Sequence, residues 1–210
     1  MRGVHPLPID VIWAEDGGVF LNQAMRHPLP EILFAPHAGC LQVIGRLVAA
    51  PVAELPIEWA AAGLALGAAL VVTLISLLVW YRSGRIVANT WAHVLLTALV
   101  PLLPQAGYEV VATVVNLHWY LGYAAFWVLL VPARSIRGQL GGALVVVIAA
   151  LSDPLTGLVL PAALVGLMFT RRRLVALIAL AVLIGLALLW WKVHRTPRSM
   201  AALSLAISVA

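Results

Sequence analysis

Residues 57–85 read IEWAAAGLALGAALVVTLISLLVWYRSGR. Between Ile57 and Tyr81 the only charge is Glu58, and the apolar run stops at Arg82 and Arg85. A helix needs about 20 predominantly apolar residues to cross the hydrocarbon core of a bilayer, and this stretch has length to spare. Five further apolar runs follow: Ile86–Leu103, Leu117–Ala133, Gly138–Ser152, Pro154–Thr170 and Leu174–Trp191. The expected fold is therefore all-α, a polytopic bundle of transmembrane helices over residues 57–191. The fourth and fifth runs are short, and Asp153-Pro154 breaks them apart. Residues 138–170 read as a short hairpin or a re-entrant pair buried among the other helices.

Composition agrees. The chain is 63% hydrophobic with mean hydropathy +1.04, and only 10% of its residues are charged, against about a quarter in a soluble domain. A net charge of +5 would suggest nucleic acid in a soluble protein. Here the basic residues punctuate apolar runs, so topology accounts for them and nucleic acid is excluded as a partner. A single cysteine, Cys40, rules out an internal disulfide framework and any Cys-rich metal site.

Charge placement predicts orientation. The connections holding Arg82/Arg85, Arg134/Arg137 and Arg171/Arg172/Arg173 contain seven of the 13 basic residues and no acid. They alternate along the chain and so share one side, which the positive-inside rule makes cytoplasmic. All eight acids fall on the opposite side: Asp10, Glu15, Asp16, Glu31, Glu54, Glu58, Glu109 and Asp153. Lys192, Arg195 and Arg198 run against the rule. Residues 1–56 are then an extracytoplasmic loop, and 192–210 a polar connection opening another apolar helix. No export signal is visible in residues 1–12, so at least one further N-terminal helix is expected upstream, and the chain reads as a fragment of a longer protein.

Within the loop, Val19–His27 has an amphipathic helical pattern, with Phe20, Leu21, Ala24 and Met25 on one arc and polar residues on the other. Pro28 and Pro30 end it. It is too short to span and reads as an interfacial helix along the membrane surface or as a helix packed on its own protein.

Just ahead of that helix stand Glu15 and Asp16, followed by Gly17 and Gly18. A carboxylate at the mouth of a membrane bundle suits a reaction that needs a base for a hydroxyl proton; the alternative is a helix cap. Arg46 suits a phosphate group, since guanidinium forms a charge-assisted fork to phosphate oxygens; the alternative is an arginine that snorkels to lipid headgroups. If the stretch from Glu109 is one helix, Glu109, Thr113, Asn116, Tyr120 and Trp127 project within about 40° of one direction and His118 points the other way. That stripe reads as a polar cavity wall or as helix–helix hydrogen bonding. Asp153, between Ser152 and Pro154, reads as a helix cap or a binding residue.

The order W-A-E-D-G-x-V-F-L, H-A-G-C-L-x-x-x-x-R, E-x-x-x-x-x-x-N-L-H-W-Y-L and S-D-P-L-T-G over residues 13–170 resembles bacterial integral-membrane proteins of the GT-C glycosyltransferase superfamily. The resemblance implies a transferase that uses a polyprenyl-phosphate-linked sugar donor at the outer face of the inner membrane. It implies Asp16 or Glu15 as catalytic carboxylate, with Glu109 a second acid near the site. Arg46, Asn116, His37, Tyr120 and Asp153 are then the substrate-binding candidates; an aromatic is expected where His37 and Cys40 stand. A divalent cation is the one cofactor left open, and the lipid bilayer is an expected partner. Two alternatives use the same bundle: a transporter or flippase of lipid-linked saccharide, and a non-catalytic membrane scaffold.

Overall fold

A computed structural model describes residues 11–35, 37, 40–102, 113–159, 161, 162, 164 and 165. Glu109 and the runs beyond residue 165 lie outside the described residues. Within them the protein is helical, with no strand and a single isolated bridge between His37 and Cys40.

The chain enters through a π turn, Asp16–Leu21, that runs on into α1 (Asn22–Arg26). Pro28 opens the one-turn helix α2 (Leu29–Ile32). Next comes α3 (Val43–Val52), entered at Gln42 with a left-handed φ of 52°. The amphipathic segment thus starts earlier than its sequence pattern indicates. Phe20 and Leu21 are buried as expected, but Met25 is 59% exposed, because the wider π turn shifts the phase of the residues that follow it.

A 3₁₀ turn at Ile57–Trp59 feeds α4 (Ala60–Ser83). One stripe of α4 is buried through Leu64, Ala68, Val72, Ile75 and Val79, while Leu66, Leu70, Leu74 and Leu77 on the other face are each more than half exposed. Gly63 and Gly67 let α3 approach closely: a Cβ on Gly67 would lie 2.5 Å from Val48 Cγ1. This small-residue face is a packing device common among membrane helices.

Three shorter apolar helices follow among the described residues: α5 (Thr90–Leu102), α6 (Leu117–Leu130) and α7 (Ile136–Ser152). They are 13, 14 and 17 residues long. Among the described residues only Ile57–Ser83 is long and apolar enough to cross a membrane by length and composition. Of the five further runs, Ile86–Leu103 has adequate spanning length by sequence; in the structure its first turn is a non-helical connection and helix begins at Thr90. Gly138–Ser152 forms most of α7, which runs from one end of the bundle to the other. The 3₁₀ turn Pro154–Val159 follows it.

The two ends differ sharply in charge. At the first, Arg82 is buried and donates to the carbonyls of Val131 (2.9 Å) and Gly138 (3.3 Å), and Arg85 donates to the Pro132 carbonyl at 3.3 Å. The Arg82/Arg85 and Arg134/Arg137 connections therefore meet. At the second end stand the N-terminus of α6, the C-terminus of α7, and α3, joined by a 3.1 Å hydrogen bond from the Ile44 amide to Ser152 Oγ. All six carboxylates among the described residues belong to this second end.

Candidate carboxylate site at the end of the bundle

The site is built on Asp16, the first residue of the π turn. Its side chain is 1% exposed, and it lies against the backbone just ahead of α6. Oδ2 accepts a 2.9 Å hydrogen bond from the Val114 amide, and Oδ1 accepts one of 3.1 Å from the Val115 amide. Val114 and Val115 stand just before Asn116, the N-cap of α6, so Asp16 anchors the turn that leads into a helix about a hundred positions away. No side-chain hydrogen bond caps the π turn, although Asp16 stands in its first turn, where the alternative reading of the acidic pair places a carboxylate.

Burial pushes the Asp16 carboxyl up to about 6 from its ordinary 3.8. The two amide hydrogen bonds pull the other way, and repulsion from Glu15 adds to the rise. Glu15 itself is exposed. The two adjacent acids thus hold different environments, one dry and one wet.

The Val114–His118 segment carries a second set of contacts. His118 Nδ1 sits 2.6 Å from the Val115 carbonyl oxygen, within hydrogen-bond distance of it. Its Nε2 faces Asp153 Oδ2 at 3.7 Å, with both side chains largely buried. Asp153 Oδ1 accepts from the Leu155 amide at 2.8 Å, so Asp153 caps the turn that follows it and meets His118 as well. Val115 is held from both sides, its amide by Asp16 and its carbonyl by His118. The sequence stripe set His118 aside because it points away from Asn116. The C-terminus of α7 lies on that side, and only a hydrophilic Ser-Asp-Pro break in an apolar run hinted at it.

The remaining candidates divide. Asn116 donates to Thr113 Oγ1 at 2.9 Å, bracing the same segment. Tyr120, one turn further into the bundle, is 1% exposed, and among the described residues its hydroxyl has no hydrogen-bond partner; nor does the Trp127 indole nitrogen further along the same face. His37 meets Phe20 edge to face at 6.0 Å between ring centres. Burial, and then Asp153, push the Cys40 thiol up, so Cys40 also belongs to this end.

Arg46 is 0% exposed. Its guanidinium donates to the carbonyls of Leu41 (2.8 Å) and Ala35 (2.7 Å) and to the Gln23 side-chain oxygen. Phe20 lies beneath it, 5.7 Å from ring centre to Cζ. Three of its five N–H donors thus tie Ala35 and Leu41 to α1 and α3. Asp16, His118 and Asp153 are brought together, Arg46 and His37 flank them around Phe20, and Glu109 lies outside the described residues. No group of three or more metal-ligating side chains occurs among the described residues. Comparison of the chain with protein-family models, with curated proteins and with solved structures finds no match in any of the three.

Proposed function

We propose that this chain is the membrane bundle, or part of it, of a glycosyltransferase that moves a sugar from a polyprenyl-phosphate donor to an acceptor hydroxyl at the outer face of a bacterial inner membrane. The observation that carries this reading is a convergence. The E-D-G, N-L-H-W-Y-L and S-D-P motifs on which the GT-C resemblance rests are far apart in sequence, and their residues meet at one end through Asp16, Val115, His118 and Asp153.

Support for membrane embedding comes from α4. Only 28% of its most apolar window is buried inside the protein, whereas the core helix of a water-soluble protein hides most of its surface. Trp59 is 64% exposed near one end and Tyr81 63% exposed near the other. At 1.5 Å per residue they stand about 33 Å apart, close to the roughly 30 Å hydrocarbon thickness. Aromatic residues favour such interfacial levels. The arginine end then faces the cytoplasm and the carboxylate end faces outward.

In this mechanism the acceptor oxygen bonds to the anomeric carbon while the carbon–oxygen bond to phosphate breaks. Polyprenyl phosphate leaves with the bonding electrons, and Asp16 takes the hydroxyl proton. A carboxyl raised to about 6 is ionised at neutral pH and a better proton acceptor than an ordinary aspartate.

A second reading, a non-catalytic scaffold, is favoured by one specific observation: Asp16 is sealed from solvent and both of its oxygens already accept backbone hydrogen bonds. The deciding experiment measures sugar transfer by the whole protein carrying Asp16→Asn, expressed per folded molecule. A base role lowers transfer by about 10²–10⁴-fold, with exposed Glu15→Gln close to wild type. Undiminished transfer overturns the assignment of Asp16. A flippase would move lipid-linked sugar across the bilayer and form no new glycosidic bond.

A further inference from the structure

The arginine end of the bundle is electrostatically incomplete. Arg82 and Arg85 end α4, and Arg134 and Arg137 flank the start of α7; hydrogen bonds from the first pair to the carbonyls of Val131, Pro132 and Gly138 gather all four into one region. Every carboxylate among the described residues lies at the opposite end, so no described acid balances this charge. Like charges held close repel, and the repulsion is strongest where water is thin. Water and salt screen the exposed members of this group, and an anion held against them would offset the repulsion further.

Arg82 is 5% exposed and spends its donors on carbonyls, so it is part of the frame. Arg85, Arg134 and Arg137 are exposed and have donors to spare. Around them the surface is apolar: Tyr81, Ile86, Trp91 and Ile136 are each more than half exposed. A surface that is cationic and aromatic at one level and continues into the bare leucine face of α4 matches the chemistry of a lipid headgroup joined to acyl chains.

We propose that this end is a binding surface for anionic phospholipids, with Arg85, Arg134 and Arg137 holding headgroup phosphates of the adjoining leaflet. The inference rests on the membrane-spanning part of the reading above and is independent of the transfer chemistry. Its occupant is a lipid, because a free phosphate gains nothing from the apolar skirt.

The test titrates the whole protein in detergent with phosphatidylglycerol and with phosphatidylcholine of matched chains, counting bound lipids by native mass spectrometry. Phosphatidylglycerol is expected to bind more tightly. Each of Arg85→Gln, Arg134→Gln and Arg137→Gln should weaken it about fivefold, and the triple variant about 10²-fold, from the usual worth of a basic residue at an anionic surface. Inorganic phosphate and glycerol 3-phosphate at equal concentration should not displace it; displacement would replace the lipid with a soluble anion and overturn the proposal. Equal affinity for the two lipids, or an undiminished preference in the triple variant, also overturns it. Should the triple variant not fold, Arg137→Gln alone decides by the same criterion. A protein that stays in aqueous solution without detergent would bring down both this inference and the membrane part of the proposed function, whereas an integral protein without the preference brings down this inference alone.

Discussion

Asp16 and Val114 stand 98 positions apart, and a 2.9 Å hydrogen bond runs from the Val114 amide to the Asp16 carboxylate. With the neighbouring bond from Val115 it fastens the first loop onto the bundle at the start of α6. A carboxylate so held is at once a structural fastener and the most strongly perturbed acid of the described region. The predictions below separate those two qualities.

The first concerns pH. The Asp16 carboxyl is raised from 3.8 to about 6 in the folded protein, so between those values the folded state binds more protons than the unfolded chain. Stability must then fall as pH rises through that window. Its contribution is complete below about pH 4 and lost above about pH 6, and a shift of this size corresponds to about 3 kcal/mol. Thermal unfolding in detergent, recorded from pH 4 to 7, should show this decline in wild type and not in Asp16→Asn once the two curves are subtracted. In Asp16→Asn one amide must face a donor, since the side-chain NH₂ replaces an accepting oxygen. That costs about 1–3 kcal/mol below pH 4. A flat difference curve would show that Asp16 is not buried as described.

Arg46 is the second. Lysine keeps the charge but loses the planar fork that reaches Leu41, Ala35 and Gln23 in three directions. Arg46→Lys should destabilise the protein by about 2–4 kcal/mol, in the range for groups left unsatisfied after loss of a buried charged partner. Limited proteolysis should then cut first within residues 28–41. If Arg46 also binds donor phosphate, the variant raises KM for the donor more than it lowers kcat, measured per folded molecule.

The third uses the lone thiol. Cys40 sits at the carboxylate end, where burial and Asp153 push its thiol up and so lower the thiolate fraction that reacts. An impermeant maleimide applied to intact cells should label it from outside, several-fold more slowly than an exposed cysteine placed at Glu15. Asp153→Asn should speed the reaction, because it removes the negative charge. Labelling only after lysis would reverse the orientation proposed for the bundle or show that Cys40 is shielded, and outside labelling of Ser83→Cys would settle for reversal.

Much of this was legible in the sequence. Hydropathy located α4 to within a few residues, and the clustering of Arg82/Arg85 and Arg134/Arg137 foretold that two connections share an end. The stripe read after Glu109 assumes one helix; residues 113–116 are not helical and α6 begins at Leu117, although Thr113, Tyr120 and Trp127 are all buried. The site was less legible because its contacts are long-range. A carboxylate bonded to backbone amides about a hundred residues away leaves no spacing pattern, and amides carry no residue identity. His118 was discounted on helical phase alone, since phase reports which way a side chain points and not which neighbour waits there. The start of the second run was less legible: Ile86 and Val87 extend the hydropathy signal into a connection that is not helical.

The clamps at the two ends of α6 also constrain how the protein can move. Asp16 grips the chain just before the helix, at Val114 and Val115, and Arg82 grips Val131 just after it. Both grips come from elements far away in sequence. A piston stroke of α6 by one turn, about 5.4 Å, would have to break both at once. Tilting about either grip would strain the other. These grips favour a stationary α6, so any opening of this end is expected to move chain around the helix while its axis stays still.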